Sequence, residues 1–174
     1  MTPVRLRARD VGASRVRIVN LSASKFFGFE AVDVLGYKVM ISDREKTAID
    51  CINRPDLAGG VSEAATILAT ASRRFDWTKA VGYLKRMNSG ALARRVGWLV
   101  DYVKADVPPD ARARLLTLAA RSRKTWLGPD PARSPVVPGA IGYDKTWRLF
   151  VNVKREDLHG SAGLGRRKAV RKGS

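Results

Sequence analysis

The chain has 174 residues, of which 45% are hydrophobic, enough for one domain that buries about 70% of its unfolded surface. Its 33 Lys and Arg against 16 Asp and Glu give a formal charge of +17 and a pI near 10.9, a positive field that suits a polyanionic partner such as DNA or RNA. No apolar run long enough to span a membrane exists, Met1–Arg9 lacks the apolar core of a signal peptide, and the single Cys51 excludes an internal disulfide, so the expectation is a cytoplasmic protein without a membrane partner.

The pattern from Val4 to Met40 reads as three or four short strands. Val16, Ile18 and Asn20 alternate with Arg15, Arg17 and Val19, and Phe27, Phe29, Val32 and Val34 precede a Gly36 turn into Tyr37–Ile41. Lys25-Phe26-Phe27-Gly28 couples a cation with aromatics, and the pair reads as core on one side and surface on the other. The stretch Ser42–Gly60 follows. Ser42 and Glu45 form an S-x-x-E capping box, Asp43 and Glu45 suit the positive end of the helix dipole, and Arg54-Pro55 stops the helix. Ala48, Ile49 and Ile52 make its apolar face, while Asp43, Thr47, Asp50 and Arg54 form a polar ladder on the other. Cys51, beside Ile49 and Ile52, reads as a small buried thiol.

Beyond the Gly59-Gly60 turn the period is helical. Ser62 caps a helix with Val61, Ala65, Leu68 and Ala71 inside; Asp76 caps the next, with Trp77, Ala80, Val81, Leu84 and Met87 inside. Asn88 or Ser89 opens a third, with Leu92, Val96, Leu99 and Val103 inward and Arg94 and Arg95 outward. Pro108-Pro109 pre-set a fourth, Asp110 to about Lys124, with Leu115, Leu118 and Ala119 inward. The outward faces then carry Lys85, Arg86, Arg94, Arg95, Arg112, Arg114, Arg121, Arg123 and Lys124. These cations, with Lys25, are the candidate nucleic-acid contacts.

Leu127–Gly142, rich in Pro and Gly, reads as an irregular connection. Residues 146–154 then read as a half-buried strand returning to the N-terminal sheet, with Trp147, Leu149, Val151 and Val153 alternating against Arg148, Phe150, Asn152 and Lys154. Residues 159–174 read as an exposed His159 and a disordered basic tail, in which Arg166, Arg167 and Lys168 add to the nucleic-acid candidates. The fold class expected is α/β (α+β): one domain, residues 1–158, with a small mixed sheet and four or five helices.

Several of these stretches resemble the antitoxin domain of AbiEi-type antitoxins from bacterial abortive-infection toxin–antitoxin systems. The resemblance runs from Lys25-Phe26-Phe27-Gly28-Phe29 through Ile41–Cys51 to Arg54-Pro55-Asp56-Leu57-Ala58-Gly59-Gly60. It resumes at Arg94–Val100 and at Trp147–Val153. Its motif residues are Ser42, Asp43, Glu45, Lys46, Thr47, Asp50, Arg54, Pro55, Gly59 and Gly60. It implies an antitoxin that opposes a nucleotidyltransferase toxin, with or without a stable complex, and that assists repression. The winged helix-turn-helix usual in that family does not fit in the 24 residues before Lys25, and the expectation is a chain without one. A basic DNA-binding regulator without antitoxin activity is the alternative.

Catalytic patterns are missing. Gly160-Ser161 has no paired Asp after it as a nucleotidyltransferase requires, D/E-x-K and Walker sequences do not occur, and one Cys with one His makes no zinc cluster. Asp43 and Asp50 read as residues satisfied by caps and by the i,i+4 partners Lys46 and Arg54. No enzyme activity, no metal and no cofactor are expected.

Overall fold

The computed structural model describes residues 7–120, 124–133 and 139–159, without the side chains of residues 9, 11, 15 and 159. Among the described residues six strands and six α-helices make a mixed α/β fold, the class expected. The strands pair differently from the expectation. Instead of one mixed sheet they form three separate antiparallel pairs: β1 (Arg9–Val11) with β2 (Ser14–Val16), β3 (Phe29–Val34) with β4 (Tyr37–Ser42), and β5 (Gly142–Asp144) with β6 (Leu149–Val151).

The β3–β4 turn explains its own tightness. Leu35 and Gly36 both take positive φ, 55° and 82°, the geometry of a two-residue turn whose twist matches the flanking strands. The Gly36 N–H donates to Asp33 Oδ1 at 2.9 Å.

The late strand is shorter than its alternation suggests. Trp147 lies in the β5–β6 turn, where its N–H donates to Asp144 Oδ1 at 2.8 Å. Arg148 beside it takes the left-handed φ of 53°. Asn152, placed outward by the alternation, is buried instead: Nδ2 donates to Pro129 O and Oδ1 accepts from Gly128 N, both at 2.8 Å. β6 therefore holds the Pro/Gly-rich connection rather than the N-terminal strands.

Five helices supply most of the interior: α1 (Arg44–Asn53), α2 (Val61–Ala71), α3 (Trp77–Met87), α4 (Gly90–Tyr102) and α5 (Pro109–Ala119). The short α6 (Arg155–His159), not foreseen, adds the buried Leu158. The apolar stripes of α3 and α4 are buried as their spacing requires, with Val103 at the edge. Asp76 caps α3 and Ser89 caps α4 through their side chains, and Pro109 occupies the first turn of α5. The cap of α2 is Gly60 and not Ser62. α5 ends at Ala119, short of Lys124, and Cys51 is half-buried against the core rather than inside it.

The tightest approach joins α4 to the β5–β6 turn. The Trp147 ring, 1% exposed, lies on Gly97 so closely that a methyl there would overlap it. Trp147 Nε1 donates to Asp101 Oδ2 at 2.7 Å one helical turn further on. Gly97→Ala is expected to cost about 3 kcal/mol through overpacking, read as a lowered midpoint of chemical denaturation, whereas Gly82→Ala, where a methyl meets nothing, raises the midpoint slightly through helix propensity.

Candidate functional site

The motif residues of Ser42–Gly60 separate into an internal knot and an exposed turn. The helix start is one residue later than the capping box predicts. Ser42 is the last residue of β4, paired with Phe29, and its hydroxyl meets Thr47 Oγ1 at 2.7 Å. Asp43 is the cap of α1, its Oδ1 accepting from Lys46 N at 2.8 Å. Glu45 faces away from Ser42 and accepts the Asp76 N–H at 3.1 Å, which satisfies a donor ahead of α3.

Around Asp43 the knot closes. Tyr83 Oη donates to Asp43 Oδ2 at 2.6 Å, and Lys79 Nζ lies 3.2 Å from both Asp43 and Glu45. Lys46, only 1% exposed, pairs with Asp50 on the next turn. Its ammonium stands 5.1 Å from the centre of the Phe27 ring, which carries the Arg86 guanidinium at 4.1 Å. Gly28, at φ 75°, accepts the Asp43 N–H at 2.9 Å, and a Cβ there would press on Lys46 and Tyr83. Thus the Lys25–Phe29 stretch and the α1 motif, though separate in sequence, close on each other. Phe27 is buried and Phe26 stays at the surface, as the sequence suggests.

This arrangement moves the ionisations. Burial pulls the Asp43 carboxyl upward, but Tyr83, Lys46 N–H and Lys79 together outweigh it and the group titrates below its ordinary value. Burial and the bond to Asp43 push the Tyr83 phenol up to about 12. Lys79 rises too, its acid partners outweighing desolvation.

Burial raises the Cys51 thiol, with Asp50 and Glu63 adding to it, so this cysteine is a weak nucleophile. Among the described residues no group of three His, Cys, Asp or Glu could hold a metal ion.

The second half of the motif is outside this knot. Arg54 pairs with Asp56, at 2.8 Å, and not with Asp50. Pro55, Asp56 and Gly60 line one wall of a cleft of about 630 Å³, with Arg95, Gly128–Asp130 and Arg133 on the other side. Two stretches of the resemblance therefore face one cavity. Arg95 was placed outward by the helical period; it is half-buried, its Nε donating to Trp126 O at 2.8 Å, and burial lowers its pKa. No carboxylate of a described residue pairs with it.

The other candidate cations have different environments. Arg94, also placed outward, is 2% exposed. Its Nε donates to Ala119 O at 2.8 Å and its Nη1 to Arg148 O at 2.9 Å, with Thr125 Oγ1 at 3.5 Å. Ala119 ends α5, so this guanidinium sits at the negative end of a helix dipole. Arg112 is half-buried and forked onto Asp101, with one bond of 2.9 Å. Lys25, Lys85, Arg86, Arg114 and Lys124 are exposed. Arg121, Arg123, Arg166, Arg167, Lys168 and the basic tail lie outside the described residues. Sequence reading missed Lys79 and Tyr83, which share a face of α3 four residues apart but whose partners are on α1.

The chain matches no family model, no curated protein and no solved structure.

Two outcomes follow. Tyr83 has a raised folded pKa, so its contribution is present below its unfolded value near 10 and is lost as pH rises toward about 12. Asp43, depressed, contributes above its unfolded value of about 3.9 and loses that stability at lower pH. Thermal unfolding against pH should therefore show an alkaline limb that Tyr83→Phe flattens, at a cost of about 1 kcal/mol at neutral pH. Adjacent arginines should also differ in magnitude under denaturant. Arg94→Ala loses about 3 kcal/mol by stranding buried carbonyls, and Arg95→Ala loses less than half of that.

Proposed function

We propose that this chain is a cytoplasmic antitoxin-type domain without enzyme activity, which opposes a nucleotidyltransferase toxin by binding, and that its exposed cations contact nucleic acid. The observation that carries the reading is the convergence of the resembling stretches. Pro55, Asp56 and Gly60 of one stretch and Arg95 of another line one cleft, and the acids and Lys46 of the central motif are taken up internally, so that Arg95 stands half-buried in the cleft wall without an acid partner among the described residues. A half-buried guanidinium with free donors suits a phosphate or carboxylate of a partner.

The +17 charge supports the nucleic-acid part, because a field of that sign attracts phosphate at long range. No helix among the described residues is long and apolar enough to cross a membrane. A role in repression accompanies the antitoxin reading in the resemblance. The basic regulator without antitoxin activity differs from it in needing no toxin.

The test is growth. Cells expressing the gene adjacent to this one are expected to stop growing and to resume when the chain is supplied from a second plasmid. Arg95→Ala is expected to reduce rescue about tenfold in colony count at unchanged protein level, whereas Lys104→Ala, remote from the cleft lining, keeps it. A toxic neighbour that the soluble, folded chain does not relieve overturns the antitoxin reading.

A further inference from the structure

β6 has two faces with different compositions. Leu149, fully buried, and Val151 point toward the core, and Phe150 between them points the other way. Phe150 has a neighbour on each side. Tyr143 stands opposite it in β5. On the other side Trp126 bridges to it, fixed by Leu127 N to Phe150 O at 2.9 Å and Phe150 N to Thr125 O at 2.8 Å. Three aromatic rings therefore form one row across the outer face, with centroids 4.9 Å apart for Tyr143–Phe150 and 5.1 Å for Phe150–Trp126.

The row is open and positively charged. Tyr143 is 49% exposed, and Phe150 and Trp126 are half-buried. The Lys124 ammonium stands 4.9 Å from the Trp126 ring centre and 5.1 Å from that of Phe150. Lys145 and Arg148 of the β5–β6 turn are exposed at its end, while the turn's carboxylate, Asp144, is half-buried and accepts the Trp147 N–H. Arg95 holds the Trp126 carbonyl from below.

We propose that the Tyr143–Phe150–Trp126 row is a stacking platform for the unpaired bases of single-stranded nucleic acid, with Lys124 engaging the backbone phosphates. Base stacking on aromatic side chains is indifferent to sequence and is combined with cations that track the strand in proteins that bind single strands. A duplex keeps its bases stacked on one another, so the rings gain nothing from it. A cationic ligand is disfavoured by the Lys124 charge beside the rings. An uncharged apolar partner would have to bury that ammonium without compensation.

The proposal rests on the nucleic-acid part of the reading above and not on its antitoxin part. The probe is a fluorescein-labelled single-stranded deoxythymidine oligomer of about twelve nucleotides, compared with a duplex of the same length. The full chain is expected to bind the single strand more tightly, and Tyr143→Leu and Phe150→Leu each to weaken that binding about tenfold while duplex affinity stays unchanged. Tyr143, the most exposed ring, is the substitution least able to disturb the fold, and an unchanged circular dichroism melt verifies this.

A second readout is fluorescence. Of the four tryptophans, Trp77, Trp98 and Trp147 are buried, so quenching by stacked thymine should be lost in Trp126→Leu. If both strand forms bind alike and the folded leucine variants change neither affinity nor quenching, the platform fails and the charge reading survives. If neither form binds, both fail.

Discussion

Two helices begin beside one another, and the anions held between their ends set the geometry of the centre. The first turns of α1 and α3 each expose unpaired N–H groups and a partial positive charge, so bringing them together is unfavourable unless negative charge intervenes. Asp43, Glu45 and Asp76 supply it. Asp43 and Glu45 are both 4% exposed, which would be expensive without donors, and the donors come from three directions: the backbone of α1, the Tyr83 hydroxyl and Lys79. The same Asp43 sends its N–H to Gly28. One residue thereby fixes where β4 ends, where α1 starts and how the Phe27 ring wedges against Lys46 and Arg86.

The opposite polarity organises the other half. Arg94 brings positive charge to the C-terminal carbonyl of α5 and spans to the β5–β6 turn and Thr125. A lysine has one point of charge and no fork, so it could not face those directions together. Trp147 completes the joint by lying flat against Gly97, a contact that needs a residue without a side chain. The hairpin of β5 and β6 is too small to stand alone. Its position is imposed by this arginine and this tryptophan.

The helices were legible in the sequence because burial and period agree in them. Trp77, Ala80, Val81, Leu84 and Met87 repeat on one stripe, and Asp76 and Ser89 stand where caps must. Two misreadings come from the assumption that charge faces water. Arg94 and Arg95 each lie on the flank of an apolar stripe, and what draws them inward is an acceptor far away in sequence, Ala119 and Arg148 for one and Trp126 for the other. Ser42 satisfied the capping pattern, yet strand pairing with Phe29 took it first and left Asp43 to cap. Trp147 and Asn152 alternate correctly with their neighbours but flank a strand of three residues, so the period extended beyond the structure that generates it. Half of the candidate site was visible in this way, as the Arg54–Gly60 turn. Its other wall, from Gly128 to Arg133, has no periodic pattern and is placed by Asn152.

Internal use of cations changes what the composition means. Arg94 and Arg112 are committed to carbonyls and to Asp101, so they add to the long-range field and offer no side chain to a ligand. Exposed candidate cations occur instead beside aromatic rings in two regions. Arg86 reaches Ser24 O beside Lys25, which places those two together, whereas Lys124 belongs to the aromatic row. The first region has charge with Phe26 at its margin and no row of rings. Charge alone attracts any phosphate chain with similar strength and loses force as salt rises. Discrimination requires contacts that depend on what the phosphates carry, and the described surface concentrates such contacts where three rings and a lysine share one face.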